Sequence, residues 1–216
     1  MTAAIPTLPD TLGADPVVMA ENIRDGAERL AKRLPERYRR AMPTAPAVTA
    51  WVADVLANVR QPHMPVIRTG PSLLLLGPTG TGKTFQAYGA IAALALSGAA
   101  CGWSFTTAAD AYARLRPRPS VDPEAEFEKL AKIPVLVVDD LGAAKATEWT
   151  EEINYRLINF RYEHQLTTLI TSNVPVANLK MSLGDRVTSR LSEMATRAVL
   201  AGPDRRRLFS RGEQES

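Results

Sequence analysis

The sequence predicts an α/β fold: a parallel sheet sandwiched by helices, preceded by a short helical N-terminal extension. Three observations predict it. Short apolar runs alternate with longer helical patterns from residue 72 onward, as in sheets covered on both faces. Two of those runs end in polar residues, Asp139-Asp140 and Thr171-Ser172-Asn173, where an open α/β sheet places its ligands. Between the first run and the next helix lies Gly77-Pro-Thr-Gly-Thr-Gly-Lys-Thr84, which fits the phosphate-binding pattern G-x-x-x-x-G-K-[ST].

Taken in order, residues 1–15 with Pro6, Pro9 and Gly13 predict a loosely ordered lead-in. From Val17 to Leu34, the spacing of Ile23, Ala27, Leu30 and Leu34 predicts a helix with one apolar stripe, and Pro35 limits it. That helix either docks a partner or packs on its own domain. Ala47 to Val59 reads as a second helix among the prolines of residues 43–71. The main domain follows: a strand over Ser72–Leu76, a helix from about Lys83 to Ser97 and a strand over Cys101–Thr106. After these come a helix over Ala108–Leu115, a strand over Val135–Val138, a helix over Glu148–His164 and a strand over Thr167–Thr171. The expected division is an extension at 1–42, a main domain at 43–208 and a tail at 209–216.

Composition narrows the function classes. The 216 residues are 45% hydrophobic and 23% charged, typical of a globular chain that buries a core without staples. A single cysteine, Cys101, excludes a disulfide framework and a cysteine-based zinc site, so the cytoplasm is the expected compartment. No apolar stretch approaches the ~20 residues of a membrane span. Net charge is +3, but basic residues cluster at Lys32, Arg33, Arg37, Arg39 and Arg40 and again at Arg205, Arg206, Arg207 and Arg211. Such clusters either meet a phosphate backbone or form a solvated basic surface.

The loop is where the chemistry begins. Glycines let the backbone wrap a phosphate and aim its N–H groups inward, and the following helix adds its positive end. The nucleotide-binding stretch therefore runs from Gly77 through Pro78, Thr79, Gly80, Thr81, Gly82, Lys83 and Thr84 to Phe85. Lys83 is expected to reach the β- and γ-phosphates of ATP, and the Thr84 hydroxyl to ligate Mg2+. Val135-Leu-Val-Val-Asp139-Asp140 delivers two carboxylates at a strand end. Asp139 is placed to hold Mg2+, and Asp140 to polarise the attacking water. Asn173 either orients water at the γ-phosphate or simply forms a turn before Val174-Pro175. Spacing alone leaves both readings open.

Together these motifs resemble the AAA+ ATPases, and more narrowly the DnaC-like helicase loaders and IstB-like ATP-binding proteins. The resemblance rests on Leu34-Pro-Glu-Arg-Tyr-Arg-Arg-Ala41, GPTGTGKT, VLVVDDLG, the stretch from Glu148-Trp149 to Tyr162, ITSN and Asp185-Arg-Val-Thr-Ser-Arg190-Leu. It implies that Asn173 is the sensor-1 residue and that Arg190, rather than Arg186, is an arginine finger reaching the ATP of a neighbouring subunit. By spacing alone, Arg186 and Arg190 are a pair on one helix surface. Gly202-Pro-Asp-Arg-Arg206 is similar to the family's last motif, with Arg206 or else Arg207 as the sensor-2 contact.

The function implied is ATP-dependent loading of a replicative, DnaB-like helicase onto single-stranded DNA by a homo-oligomer with ATP at its subunit interfaces. Hydrolysis of ATP to ADP and phosphate, slow and stimulated by partner or DNA, would release the partner. The alternative is a transposition accessory ATPase that binds duplex DNA and a transposase. A small-molecule kinase and a nucleotide-gated binding module share the loop. The kinase lacks an obvious acceptor-binding insertion.

Overall fold

In the computed structural model, residues 6–143 and 146–204 are described. Five parallel strands form the main sheet: β2 (Ser72–Leu76), β4 (Trp103–Thr107), β5 (Val135–Asp139), β6 (Thr168–Ser172) and β7 (Ala195–Val199). They run in the order β4-β5-β6-β2-β7. A two-stranded parallel piece, β1 (Val66–Ile67) with β3 (Ala100–Cys101), stands apart. The strand expected over Cys101–Thr106 is thus two strands in two sheets, divided at Gly102.

Every residue of β2, β5 and β6 is buried, which is why they read as continuous apolar runs. Alternation then assigns their side chains to two cores. Leu73, Leu75, Val135, Val137 and Leu169 face α1 (Pro16–Arg33), α2 (Pro46–Ala57) and α3 (Lys83–Ala95). Leu74, Leu76, Leu136, Val138 and Ile170 face α4 (Ala108–Leu115), α5 (Pro123–Ala131), α6 (Glu148–Glu163), α7 (Leu179–Leu183) and α8 (Asp185–Met194). Each leucine so buried contributes ~1.5–3 kcal/mol.

Helix α1 forms where expected, started by Asp15, whose Oδ1 accepts from the Val17 N–H at 2.8 Å, with Pro16 in the first turn. Its buried face differs from the expected stripe. Ile23 and Ala27 are exposed, whereas Gly26 and Leu30 are buried. The reason is backbone proximity: a Cβ on Gly26 would lie 1.9 Å from the Ala95 carbonyl oxygen. Asn22 also donates to Gly98 O at 2.9 Å. The helix packs on the end of α3 through small and polar residues, a pattern that hydrophobic periodicity does not register. The lead-in is also tied down: Leu8 is buried and its N–H donates to Ser97 O.

Arg161 of α6 ties the chain entering β5 to the start of β6. It is fully buried, and its guanidinium donates to Thr168 Oγ1, Ala131 O, Ile133 O, Pro134 O and Thr167 O at 2.7 to 3.3 Å. All five N–H donors are therefore used. Burial pulls its pKa down to about 9, so it stays charged at neutral pH. Among the described residues, no helix is long and apolar enough to cross a membrane.

Candidate functional site

Because β6 lies between β5 and β2, the loops after these three strands meet at one edge. The loop after β2 turns through Gly77, Gly80 and Gly82 at φ of 150°, 84° and 95°, values that L side chains rarely adopt. Two of these glycines also make close approaches. A Cβ on Gly77 would lie 2.3 Å from Leu200 O, and one on Gly80 would lie 2.0 Å from an Asp204 carboxylate oxygen. The segment after β7 therefore leans on the loop. No side chain caps the start of α3, which leaves its first N–H groups directed at the loop, as anion binding requires. Lys83, nearly buried, folds back and donates to Gly77 O at 2.7 Å and Pro78 O at 2.9 Å.

Thr84 and Asp139 meet directly: the Thr84 hydroxyl donates to Asp139 Oδ2 at 2.9 Å. The other oxygen, Oδ1, accepts from the Thr171 hydroxyl at 2.5 Å. Asp139 is buried, and burial is the main cause that raises its pKa above the ordinary carboxylate value. The two threonine hydroxyls pull it down, Asp140 pushes it up, and Lys83 pulls it down. Asp140 is exposed and takes a left-handed φ of 56°.

A cavity of about 630 Å³ opens here, lined by Arg37, Tyr38, Thr79, Gly80, Gly82, Lys83, Thr84, Phe85, Asp140 and Asn173. The expected residues Lys83, Thr84, Asp140 and Asn173 are thus brought together, with Asp139 hydrogen-bonded to Thr84. The hydroxyl and carboxylate oxygens fit a hard cation. Among the described residues, no cluster of three or more His, Cys, Asp or Glu could cage a metal alone. A Thr–Asp pair completed by phosphate oxygens and water is how Mg2+ is commonly held.

Arg190 lies elsewhere. It sits on α8 with its guanidinium 4.5 Å from the Tyr162 ring centroid, and it donates to Asn159 Oδ1 at 3.1 Å and to Glu193 at 3.4 Å. Arg186 packs 3.6 Å from the Tyr155 ring centroid. Neither lines the cavity. Arg206 and Arg207 lie outside the described residues.

The site also contains residues to which sequence patterns assign no role. Arg37 and Tyr38 come from the short turn Glu36–Tyr38 after α1. Tyr38 stacks on Tyr88 and Tyr88 on Phe105, with centroids 4.3 and 3.8 Å apart. Burial, then Tyr38, Asp139 and Asp110, push the Tyr88 phenol up to about 12, so it stays neutral. Gln86 straps the same segment to α3, accepting from the Thr44 and Ala45 N–H groups and donating to the Thr44 hydroxyl. Only the placement of Arg37 and Tyr38 within the Leu34–Ala41 marker hinted at the site.

Comparison with known proteins agrees with this geometry. The family model described as IstB-like ATP binding protein matches residues 60–197. A Sinorhizobium fredii protein described as an insertion sequence ATP-binding protein is 29% identical over 160 residues. That alignment covers 69% of this chain and 52% of the relative, so the chain spans about half the relative's length. Among solved structures, the DnaC helicase loader superposes with a TM-score of 0.63 at 24% identity, over 77% of this chain and 100% of that one. DnaI gives 0.64 at 20% identity, over 80% and 94%. The replication initiator DnaA bound to AMPPCP and single-stranded DNA gives 0.61 at 16%, over 85% and 56%. At these identities the structural likeness is one of fold, that of AAA+ P-loop proteins. The matched span contains the phosphate loop, the Asp139–Asp140 strand and Asn173, and the chain belongs to the IstB-like ATP-binding protein family.

Proposed function

We propose that this chain is an ATP-hydrolysing switch serving an insertion-sequence transposition system, binding duplex DNA and a transposase in its ATP state. The observation that carries the ATPase reading is the convergence of Lys83, Thr84, Asp140 and Asn173 on one cavity with Asp139 hydrogen-bonded behind it. Family membership and the S. fredii relative support the insertion-sequence role.

The roles of the phosphate-loop and strand-end residues draw support from their placement around the cavity, and those of Arg190 and Arg206 from the motif resemblance alone. The ammonium of Lys83 leaves the neutral carbonyls of Gly77 and Pro78 for the anionic oxygens of the β- and γ-phosphates. The stretch Gly77–Phe85 supplies backbone N–H groups to the phosphates. Thr84 and Asp139 would hold Mg2+, which would supply positive charge against the phosphates when bound. Asp140 polarises the attacking water and Asn173 orients it, giving ADP and phosphate. Tyr38 and Arg37 supply an aromatic and cationic wall to the base end. Arg190 acts on the ATP of a neighbouring subunit after releasing Asn159 and Glu193, and Arg206 acts as the sensor-2 contact. Residues 43–208 would form the ATPase unit, with α1 strapped to it.

A second reading, loading of a replicative helicase onto single-stranded DNA, draws on the fold likeness to the DnaC helicase loader. Affinity capture from host cells with Lys83→Ala and wild-type protein separates the two. Recovery of a transposase with wild-type protein and ATP supports the insertion-sequence reading. Recovery of the replicative helicase instead, together with stimulation of hydrolysis by single strands, would replace it with the loader.

A further inference from the structure

We propose that Thr171 is a positioning residue for the metal-nucleotide site, one hydroxyl holding both the Asp139 carboxylate and the Asp140 backbone. The inference rests on the reading of Asp139 as the metal-holding carboxylate. Thr171 is fully buried near the end of β6, the strand between β5 and β2. Its Oγ1 donates to Asp139 Oδ1 at 2.5 Å and accepts from the Asp140 N–H at 3.0 Å. With Oδ1 held by the strand, Oδ2 is the oxygen turned to Thr84.

The second contact addresses Asp140. Its φ of 56° costs energy for a residue with a Cβ, so the turn must be fastened from outside. Two bonds fasten it: the Asp140 N–H to Thr171 Oγ1 and the Leu141 N–H to Thr171 O at 2.9 Å. Ser172 continues the clasp, donating to Leu141 O at 2.6 Å and accepting from the Val174 N–H at 3.1 Å. The chain on either side of Asn173 is thereby tied to the Asp139–Leu141 turn. A valine at 171 would preserve shape and strand preference. It would supply neither the donor nor the acceptor.

A group that hydrogen-bonds a metal-holding side chain orients it without touching the metal, and its loss typically costs ~10–100-fold in metal affinity. The test titrates a fluorescent ATP analogue onto wild type, Thr171→Ser, Thr171→Val and Thr171→Ala, with varied Mg2+ and in EDTA. Mn2+ binding is followed in parallel by electron paramagnetic resonance. In the valine and alanine variants, the Mg2+ and Mn2+ half-saturation points should rise ~10–100-fold. Their affinity in EDTA should match wild type, and the serine variant should stay close to wild type throughout. Three results would overturn the proposal: unchanged metal dependence in the hydroxyl-free variants, equal losses with and without metal, or failure of both to fold. A serine variant that behaves like valine would also overturn it. A wild-type protein whose nucleotide affinity ignores Mg2+ would instead overturn the reading of the site itself, and the clasp with it.

Discussion

The Thr84 hydroxyl donates to Oδ2 of Asp139 at 2.9 Å, although 55 positions separate the two residues. The bond joins the first turn of α3 to the end of β5. It depends on the sheet order, in which only β6 intervenes between β5 and β2. A buried carboxylate at that junction is costly to the empty protein and useful to the loaded one.

That cost gives a prediction. Burial raises the Asp139 pKa above its ordinary value. A carboxyl with a raised folded pKa contributes stability below its unfolded pKa (about 3.9) and loses it as pH rises through the folded pKa. At neutral pH, Asp139→Asn should therefore melt a few degrees above wild type without nucleotide, ~2–4 °C for each kcal/mol relieved. The advantage should shrink as pH falls toward 4. Scanning fluorimetry against pH checks this, and a lower melting temperature at neutral pH would contradict it.

Lys83→Ala should keep its fold and lose nucleotide. The lysine donates to two carbonyls of its own loop, but its charge is matched to phosphate. Removing a charge-assisted hydrogen bond costs ~1.5–3 kcal/mol, so ATP affinity should drop ~10–150-fold. Titration of a fluorescent analogue measures it.

Gly26→Val tests whether α1 belongs to the packed core. Its side chain would meet the Ala95 backbone, which cannot give way as a side-chain end could. Overpacking of this kind costs ~1–3 kcal/mol. Hydrogen exchange should accelerate across residues 16–33 while the central strands stay protected.

Arg161→Met should be the most damaging core change. It leaves four backbone carbonyls without their guanidinium donors. Leaving buried carbonyls short of a donor costs ~1–3 kcal/mol apiece, read as a fall in the urea midpoint at unchanged slope.

The sheet's centre was legible because β2, β5 and β6 are buried on both faces and so appear as unbroken apolar runs. β7 was not legible: Thr196, Arg197 and Val199 are exposed on this edge strand, so it carries no apolar run. Helix α5 was also missed, although Asp122 caps the Glu124 and Ala125 N–H groups with Pro123 at its first position, a readable start signal. Helix α8 showed only as a motif between Asp185 and Leu191. The site's phosphate loop and paired carboxylates were legible because local backbone and strand ends dictate them. Thr171 meets Asp139 through the sheet order, and Arg37 and Tyr38 reach the cavity from the segment strapped over α3, neither of which a local pattern encodes.

Phosphate release from ATP and Mg2+ in the presence of duplex DNA, compared between wild type and Asp140→Asn, tests the ATPase claim most directly. Asp140 lines the cavity beside Lys83, Thr84 and Asn173 and is the proposed group on the attacking water. The variant should bind ATP as tightly as wild type and release phosphate ~10²–10⁴-fold more slowly. Hydrolysis by Asp140→Asn at the wild-type rate would contradict the assignment.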